Sequence, residues 1–137
     1  MKVVIDANVI IDVLEKRKGF FEDSYAVCRL AAEGKINAIT PAGSIADVYY
    51  IIKKSGKSAQ IARESIAVML QLVHPSDTMA VDITQALISG IADFEDAIIA
   101  MGAKREKADY IITRNEKDFS GSPVKALSPS LFLESLK

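Results

Sequence analysis

The chain opens with Lys2-Val3-Val4-Ile5-Asp6-Ala7-Asn8-Val9-Ile10-Ile11-Asp12, two apolar segments that meet at an acidic residue. Residues 2–5 are short and β-branched, which predicts a buried strand. Residues 8–15 predict a helix, which the charged stretch at residues 15–19 ends. Asp6 therefore follows the first strand directly, where the strand passes into the helix.

The same alternation of strand and helix continues along the chain. Further strands are predicted at residues 37–40, 72–74, 109–113 and 124–127. Further helices are predicted at residues 22–33, 44–54 and 93–107. Three more are predicted by one end only: one begins at residue 58, another ends near residue 89, and the last begins at residue 128. Strands separated by helices favour parallel β-α-β units in a three-layer α/β/α sandwich. No repeat or long linker interrupts the pattern, so residues 1–137 are interpreted as one domain.

Composition is that of a globular protein and excludes some classes of function. Of the 137 residues, 50% are apolar and 26% are charged, and the net charge is −1. Dedicated nucleic-acid-binding domains are usually basic, so a large non-specific surface is not expected, although a local basic rim suffices for an enzyme. Asp6 and Asp12 interrupt the apolar N-terminal stretch, and no apolar run could span a bilayer. Neither a signal peptide nor a membrane segment is therefore expected.

The chain has one cysteine and one histidine. Cys28 cannot form an internal disulfide, one thiol does not make a zinc site, and its apolar neighbours predict a core position. A reducing, cytoplasmic location follows as an expectation. His74 lies beside a proline on a short predicted strand, so a structural or surface role is expected and a nucleophilic triad is not.

Several oxygen-bearing side chains lie near the ends of predicted strands. Asp6 follows the first strand, Asn115 follows the fourth, and Asp118 comes three residues later. Asp96 and Asp47 are each expected in the first turn of a helix. Because ligands bind beyond the carboxyl ends of the strands in open α/β sheets, we expect these groups to converge there.

Carboxylates drawn together in this way repel one another and favour a counter-charge. Oxygen ligands suit Mg²⁺ or Mn²⁺ and do not suit zinc. Mg²⁺ commonly bridges protein carboxylates to substrate phosphates, so the pattern points to a phosphodiester substrate.

Helix capping is an alternative explanation for the same residues. Asp93-Phe94-Glu95-Asp96 and Ser44-Ile45-Ala46-Asp47 both have the form of an N-cap followed by an acid three residues later. Asp6 could cap the first helix, and Asn115 could hold a turn. The residues taken alone leave both interpretations open.

Four segments, in order, resemble the motifs of the PIN-domain family, and in particular its toxin-like branch. They are Val3-Val4-Ile5-Asp6-Ala7-Asn8, Asp93-Phe94-Glu95-Asp96-Ala97, Asp109-Tyr110-Ile111-Ile112-Thr113-Arg114-Asn115 ending in Asp118-Phe119, and Val124-Lys125-Ala126-Leu127-Ser128-Pro129. The resemblance covers nearly the whole chain. It implies a parallel five-stranded sheet flanked by helices and Mg²⁺- or Mn²⁺-dependent endonucleolytic cleavage of RNA.

The resemblance also assigns roles to residues. Asp6 matches the first metal-binding Asp, and Asp96 matches the third acidic position. Asp47 stands where the family usually has Glu, so its shorter side chain is expected to reach a metal directly or through water. Asn115 stands where the family usually has Asp, which removes a charge and weakens a second metal site. Asp118 is expected to compensate in part.

Other residues are expected to support this site. Asp93 is expected to cap its helix and less readily to contact a metal. Thr113 is expected to bond the residues around the metal, and Asn8 either to do the same or to pack at the helix start. Arg114 is the favoured phosphate contact because it adjoins Asn115. Few aromatic residues neighbour the cationic ones in sequence, so base stacking is not expected.

The toxin-like resemblance implies an antitoxin partner and often a homodimer. The apolar first helix and residues 49–52 could cover a dimer interface or belong to the core. A degenerate PIN domain that binds RNA or a protein without cutting it is the main alternative function. A phosphotransfer receiver is disfavoured, because it needs an acid after the third strand and a lysine after the fifth.

Overall fold

The computed structural model describes all residues, 1–137, and shows five strands alternating with seven α-helices. The strands are β1 (Lys2–Ile5), β2 (Asn37–Pro41), β3 (His74–Ser76), β4 (Tyr110–Ile112) and β5 (Lys125–Leu127). The helices are α1 (Ala7–Leu14), α2 (Phe21–Ala32), α3 (Ala42–Lys54), α4 (Ala59–Met69), α5 (Ala80–Leu87), α6 (Phe94–Arg105) and α7 (Pro129–Ser135), with a 3₁₀ helix at Glu116–Phe119.

All five strands are parallel and lie in the order β3-β2-β1-β4-β5. β2 and β3 are added on one side of β1, and β4 and β5 are then added on the other side. The direction in which successive strands are added therefore reverses between β1 and β4. Loops that leave adjacent strands in opposite directions open a crevice at such a point. The five-stranded parallel sheet expected from the sequence is therefore confirmed, and its switch point lies directly after Ile5 and Ile112.

Two apolar cores, one on each face of the sheet, produce the three layers. Val3 and Ile5 of β1 face the larger core, which α1, α2, α3, α4 and α7 cover. Val4 faces the other way, into a core covered by α5 and α6. Successive strand residues point to opposite faces, so the continuous apolar run of β1 buries both sides of a central strand.

Two predicted boundaries are wrong. α3 begins at Ala42 with Pro41 as its N-cap residue, so Ser44 is a buried residue within the helix and Asp47 lies in its second turn. β3 spans His74–Ser76 and contains Pro75, which was expected to end it. Proline is tolerated because β3 is an edge strand, with a free side that needs no N–H donor.

The expected core position of Cys28 is confirmed, since the side chain is 2% exposed and burial raises its pKa to about 11. His74 is exposed on β3, as expected. None of the helices has the length and hydropathy that crossing a bilayer requires.

Candidate active site

Asp6 is fixed at the switch point of the sheet by groups from β4, from the loop after β4 and from the start of α1. Its backbone N–H donates to the carbonyl of Ile112 at 2.9 Å. As the N-cap of α1, it accepts a hydrogen bond at Oδ1 from the N–H of Ala7 at 2.9 Å. Its Oδ2 accepts from the hydroxyl of Thr113 at 2.8 Å. Capping and participation in a site are therefore compatible, because each oxygen retains lone pairs.

Thr113 and Asn8 form a polar network around this carboxylate. The Nδ2 of Asn8 lies 3.4 Å from both Asp6 Oδ2 and Thr113 Oγ1, and Asn8 Oδ1 accepts from the N–H of Arg114 at 3.3 Å. The fully buried Thr113 also accepts from the N–H of Asn115 at 3.1 Å. The network ties the loop after β4 to the start of α1 and fixes the orientation of Asp6.

The first turn of α6 brings three more acids to this edge. Asp93 caps the helix, with Oδ1 accepting from the N–H of Asp96 at 2.9 Å. Burial, together with the charges of Asp93, Asp6, Asp118 and Glu95, raises the pKa of Asp96 to about 7. Burial and then the charges of Asp47, Asp93 and Asp6 raise the pKa of Glu95. A helix N-terminus favours anions, so this shift arises in spite of the helix dipole.

Asp6 shares this environment. Burial raises its pKa, the bonds from Thr113 and Ala7 and the charge of Arg114 oppose the rise, and the charge of Asp118 adds to it. None of the acids at this edge, Asp6, Asp47, Asp93, Glu95, Asp96 and Asp118, forms an ion pair with a lysine or arginine. The protein therefore gathers negative charge here, and the one guanidinium whose charge reaches Asp6, that of Arg114, is paired with Asp12.

The remaining predicted residues contribute unequally. Asp118 lies on the 3₁₀ helix, close enough for its charge to act on both Asp6 and Asp96. Asp47 is exposed and acts on Glu95, with which it lines a shallow cavity beside Ser44. Asn115 is exposed, and its side chain makes no hydrogen bond within the chain. Sequence reasoning missed Glu95, although its place between Asp93 and Asp96 in a first helical turn was a usable signal.

These side chains fit a divalent cation by their chemistry. No three acidic, histidine or cysteine groups lie close enough together to form a closed coordination shell. A closed shell is not what Mg²⁺ requires, since it keeps several waters and takes one or two carboxylates. Asp6 and Asp96 offer oxygen donors, and burial raises the pKa of each, so a bound cation would favour their charged forms.

The sequence favoured Arg114 as a contact to substrate phosphate. In the structure its side chain is held against other residues of the chain. Its Nε lies 2.7 Å from Oδ2 of Asp12, a carboxylate with no exposed surface, and its guanidinium lies 4.3 Å from the centre of the Phe20 ring. Burial raises the pKa of Asp12, and the charges of Arg114 and Arg17 oppose that rise. Arg114 therefore serves first as the partner of a buried acid.

A parallel sheet with unpaired carboxylates at its switch point is the arrangement of a PIN domain. The sequence model of the PIN domain family matches residues 2–117, and the chain belongs to this family. The family and fold expected from the sequence are thereby confirmed.

Comparison with known proteins finds relatives that match almost end to end. Ribonuclease VapC1 of Aquifex aeolicus (strain VF5) is 26% identical over 136 residues, which cover 97% of this chain and 94% of that protein. The fold resembles VapBC2 from Rickettsia felis bound to a DNA fragment from their promoter, with a TM-score of 0.72, 18% identity and coverage of 93% and 98%. FitAcB from Neisseria gonorrhoeae gives the same TM-score, identity and coverages.

Proposed function

We propose that this protein is a divalent-metal-dependent endoribonuclease and the toxin of a toxin–antitoxin pair. The observation that carries the proposal is the group of acids around Asp6 and Asp96, in which burial and neighbouring carboxylates raise the pKa of Asp96 and no acid forms an ion pair with a lysine or arginine. The similarity to Ribonuclease VapC1 supports RNA as the substrate. The fold shared with VapBC2 supports an antitoxin partner.

Asp6 and Asp96 would hold Mg²⁺ or Mn²⁺, with Asp47 in direct or water-mediated support. Bound there, the ion supplies Lewis-acid activation of a water and of the scissile phosphate. Thr113 and Asn8 keep the Asp6 carboxylate oriented, since both bond its Oδ2. A carboxylate of this group that does not hold the ion would accept a proton from the attacking water. The water oxygen bonds to phosphorus, the P–O3′ bond breaks, and the departing O3′ takes up a proton from solvent, leaving a 5′-phosphate and a 3′-hydroxyl.

The partners proposed from the sequence have unequal support. Val9 and Ile10 of α1 are buried in the larger core and are not available to a second subunit. Tyr50 and Ile51 of α3 are exposed and remain available for a homodimer or an antitoxin. A cytoplasmic location stays part of the proposal, consistent with one buried, free cysteine.

Cleavage of a labelled single-stranded RNA pool tests the proposal. The wild type is compared with Asp6→Asn and Asp96→Asn in Mn²⁺, in Mg²⁺ and in EDTA. Asp109→Asn is the matched control, because Asp109 precedes β4 and lies at the opposite edge of the sheet. We expect metal-dependent cutting that each site variant lowers by roughly 100-fold or more and that the control leaves unchanged.

Absence of cutting by a folded wild type in every metal would contradict the proposal. RNA or partner binding without turnover would then favour the degenerate PIN domain. The exposed, unbonded side chain of Asn115 is the observation that favours this second candidate.

A further inference from the structure

A second feature lies beside the acids, on the same edge of the sheet. A cavity of about 210 Å³ opens between the start of α2, the start of α7 and the loop after β4. Phe20, Asp23 and Ser24 line one side, Ser128–Ser130 line the other, and Arg114 lies between them. Pockets for drug-sized ligands begin at about 300 Å³, so this one suits a smaller group.

One wall of the cavity is a stacked pair of side chains. The guanidinium of Arg114 lies 4.3 Å from the centre of the Phe20 ring, yet 46% of Phe20 remains exposed. Part of Phe20 is therefore open to a planar group that enters the cavity. Nucleobases stack on aromatic rings and on arginine planes in this way when they leave a single strand. Phe20 and Arg114 are 94 positions apart, so the sequence alone gave no sign of this aromatic surface beside a cation.

The cavity lining carries one cation, Arg114, and one carboxylate, Asp23. The Nε of Arg114 lies against Asp12, and no acceptor in the chain takes a hydrogen bond from its Nη1 or Nη2. Lys16 and Lys18 lie nearby on the surface, are exposed and form no ion pair. The free guanidinium donors of Arg114 favour a phosphate group.

The position of the cavity suits a substrate that also reaches the acids. The N–H of Arg114 donates to Asn8, whose amide lies 3.4 Å from Asp6 Oδ2. Thr113, which bonds Asp6, is the residue before Arg114. A single strand that reaches Asp6 can therefore also pass Arg114, which lines the cavity together with Phe20.

We propose that this cavity is a single-nucleotide subsite, in which an unstacked base of the RNA packs on Phe20 and its phosphate binds Arg114. The proposal rests on the proposed ribonuclease function and adds to it. It makes the preferred substrate a single strand, because a paired base could not leave its stack to enter. Asp23 offers an acceptor to an N–H group on the base edge.

The first test is kinetic and uses Phe20→Leu, which keeps apolar bulk and removes the flat ring. We expect KM for single-stranded RNA to rise roughly 5- to 150-fold, the range that base stacking provides, with kcat within about twofold. Tyr25→Leu is the matched control, since Tyr25 is 48% exposed on α2, the helix that follows Phe20, but does not line the cavity. An equal KM for wild type and Phe20→Leu would overturn the subsite while leaving the nuclease intact.

A scan of the RNA identifies the nucleotide. Abasic sites are placed one at a time around the cut in a short oligonucleotide. We expect one position at which loss of the base weakens cleavage by the wild type by the same factor as the Phe20→Leu substitution does. At that position, loss of the base should not weaken cleavage by Phe20→Leu any further. If the effects of removing a base and of Phe20→Leu multiplied at every position, the base would not contact Phe20 and the proposal would be overturned.

A binding measurement separates this inference from the nuclease itself. The chain has no tryptophan, so Phe20→Trp introduces a single tryptophan at the cavity, which can be excited apart from the four tyrosines. We expect a single-stranded oligonucleotide to quench its fluorescence in EDTA, where no cutting occurs, and a duplex of the same sequence to quench it at least tenfold more weakly. Quenching without any cutting in Mn²⁺ would refute the nuclease and retain the subsite. No quenching by RNA, or quenching by a glutamate-rich peptide alone, would overturn the subsite.

Discussion

The two ends of α6 place acids in opposite electrostatic surroundings. At its C-terminal end, Arg105 donates from Nε to both oxygens of Asp82, a carboxylate that is only 2% exposed. Burial would raise the pKa of Asp82, but the bonds from Arg105 and from the N–H of Met79 lower it below its ordinary value. At the N-terminal end, Asp96 is half-buried among other acids and has a pKa of about 7.

This difference shows how the fold uses its arginines. Acids that hold elements together receive a guanidinium, as Asp82 does where α5 meets α6 and Asp12 does beneath the loop after β4. Acids at the switch point receive none. A partly buried carboxylate without a cationic partner costs stability. Because the protein keeps such carboxylates together at the switch point, we infer that they bind a cation there.

The largest expected effect on stability comes from breaking the ion pair between Arg105 and Asp82 at the C-terminal end of α6. Arg105→Met leaves Asp82 buried without its partner and should lower the free energy of unfolding by about 3 kcal/mol. Urea denaturation measures this, with Lys104→Met as the exposed control on the same helix, expected to change stability by less than about 0.5 kcal/mol. Similar losses for the two variants would remove the structural role given to the pair.

A divalent cation that binds the acids at the N-terminal end of α6 should stabilise the folded protein. At pH 8, Mn²⁺ at about 100 times its Kd should raise the free energy of unfolding by about 2.7 kcal/mol. Asp6→Asn and Asp96→Asn should abolish the gain, and Asp109→Asn should keep it. Thermal unfolding with and without Mn²⁺ gives the comparison, and an equal gain in all variants would place the bound ion elsewhere.

The support of Asp6 by Thr113 predicts a smaller effect. Thr113→Val keeps the shape of a fully buried side chain and removes the hydroxyl that donates to Asp6 Oδ2. Residues that orient a metal ligand commonly contribute 10- to 100-fold, so Mn²⁺ affinity should fall by roughly that factor. Thr113→Ser should restore it in a calorimetric titration, whereas equal affinity in Thr113→Val and the wild type would assign Thr113 to packing alone.

The smallest expected effect is the pH dependence of the metal-free protein. The carboxyl of Asp96 titrates near 3.8 in the unfolded chain and at about 7 in the folded one. Between these values the folded state binds more protons, so stability falls as pH rises from about 4 to about 7. Asp96→Asn should therefore stabilise the metal-free protein at pH 8, by about 1 kcal/mol after allowing for solvent screening of a half-exposed group. The gain should vanish at pH 4, and denaturation in EDTA at both pH values checks it.

Local signals predicted much of this molecule. β1, the N-cap at Ser58 and the capping of α6 by Asp93 follow from residue types that act within a few positions, and the structure has all three. Asp6 and Thr113 could be paired in advance because parallel strands end at one edge of a sheet. The start of α3 was misjudged because Ser44 has the residue type of a cap, while burial against the core places it inside the helix.

Contacts between distant segments could not be predicted. Arg114 was assigned to substrate because it adjoins Asn115, yet the fold places it against Asp12 and Phe20. The charge of Asp12 is visible in the sequence, but its complete burial is not, and burial is what requires a partner. Glu95 was passed over because the charges that act on it belong to other elements as well as its own.

The central claim is that the acids at the switch point lack a positive charge which a divalent cation supplies. Carboxyl ¹³C NMR titration of Asp96 tests it most directly, in EDTA and in saturating Mg²⁺. We predict a pKa of about 7 in EDTA and a fall to or below the ordinary 3.8 when Mg²⁺ is bound. An ordinary pKa in EDTA that Mg²⁺ does not change would contradict the account.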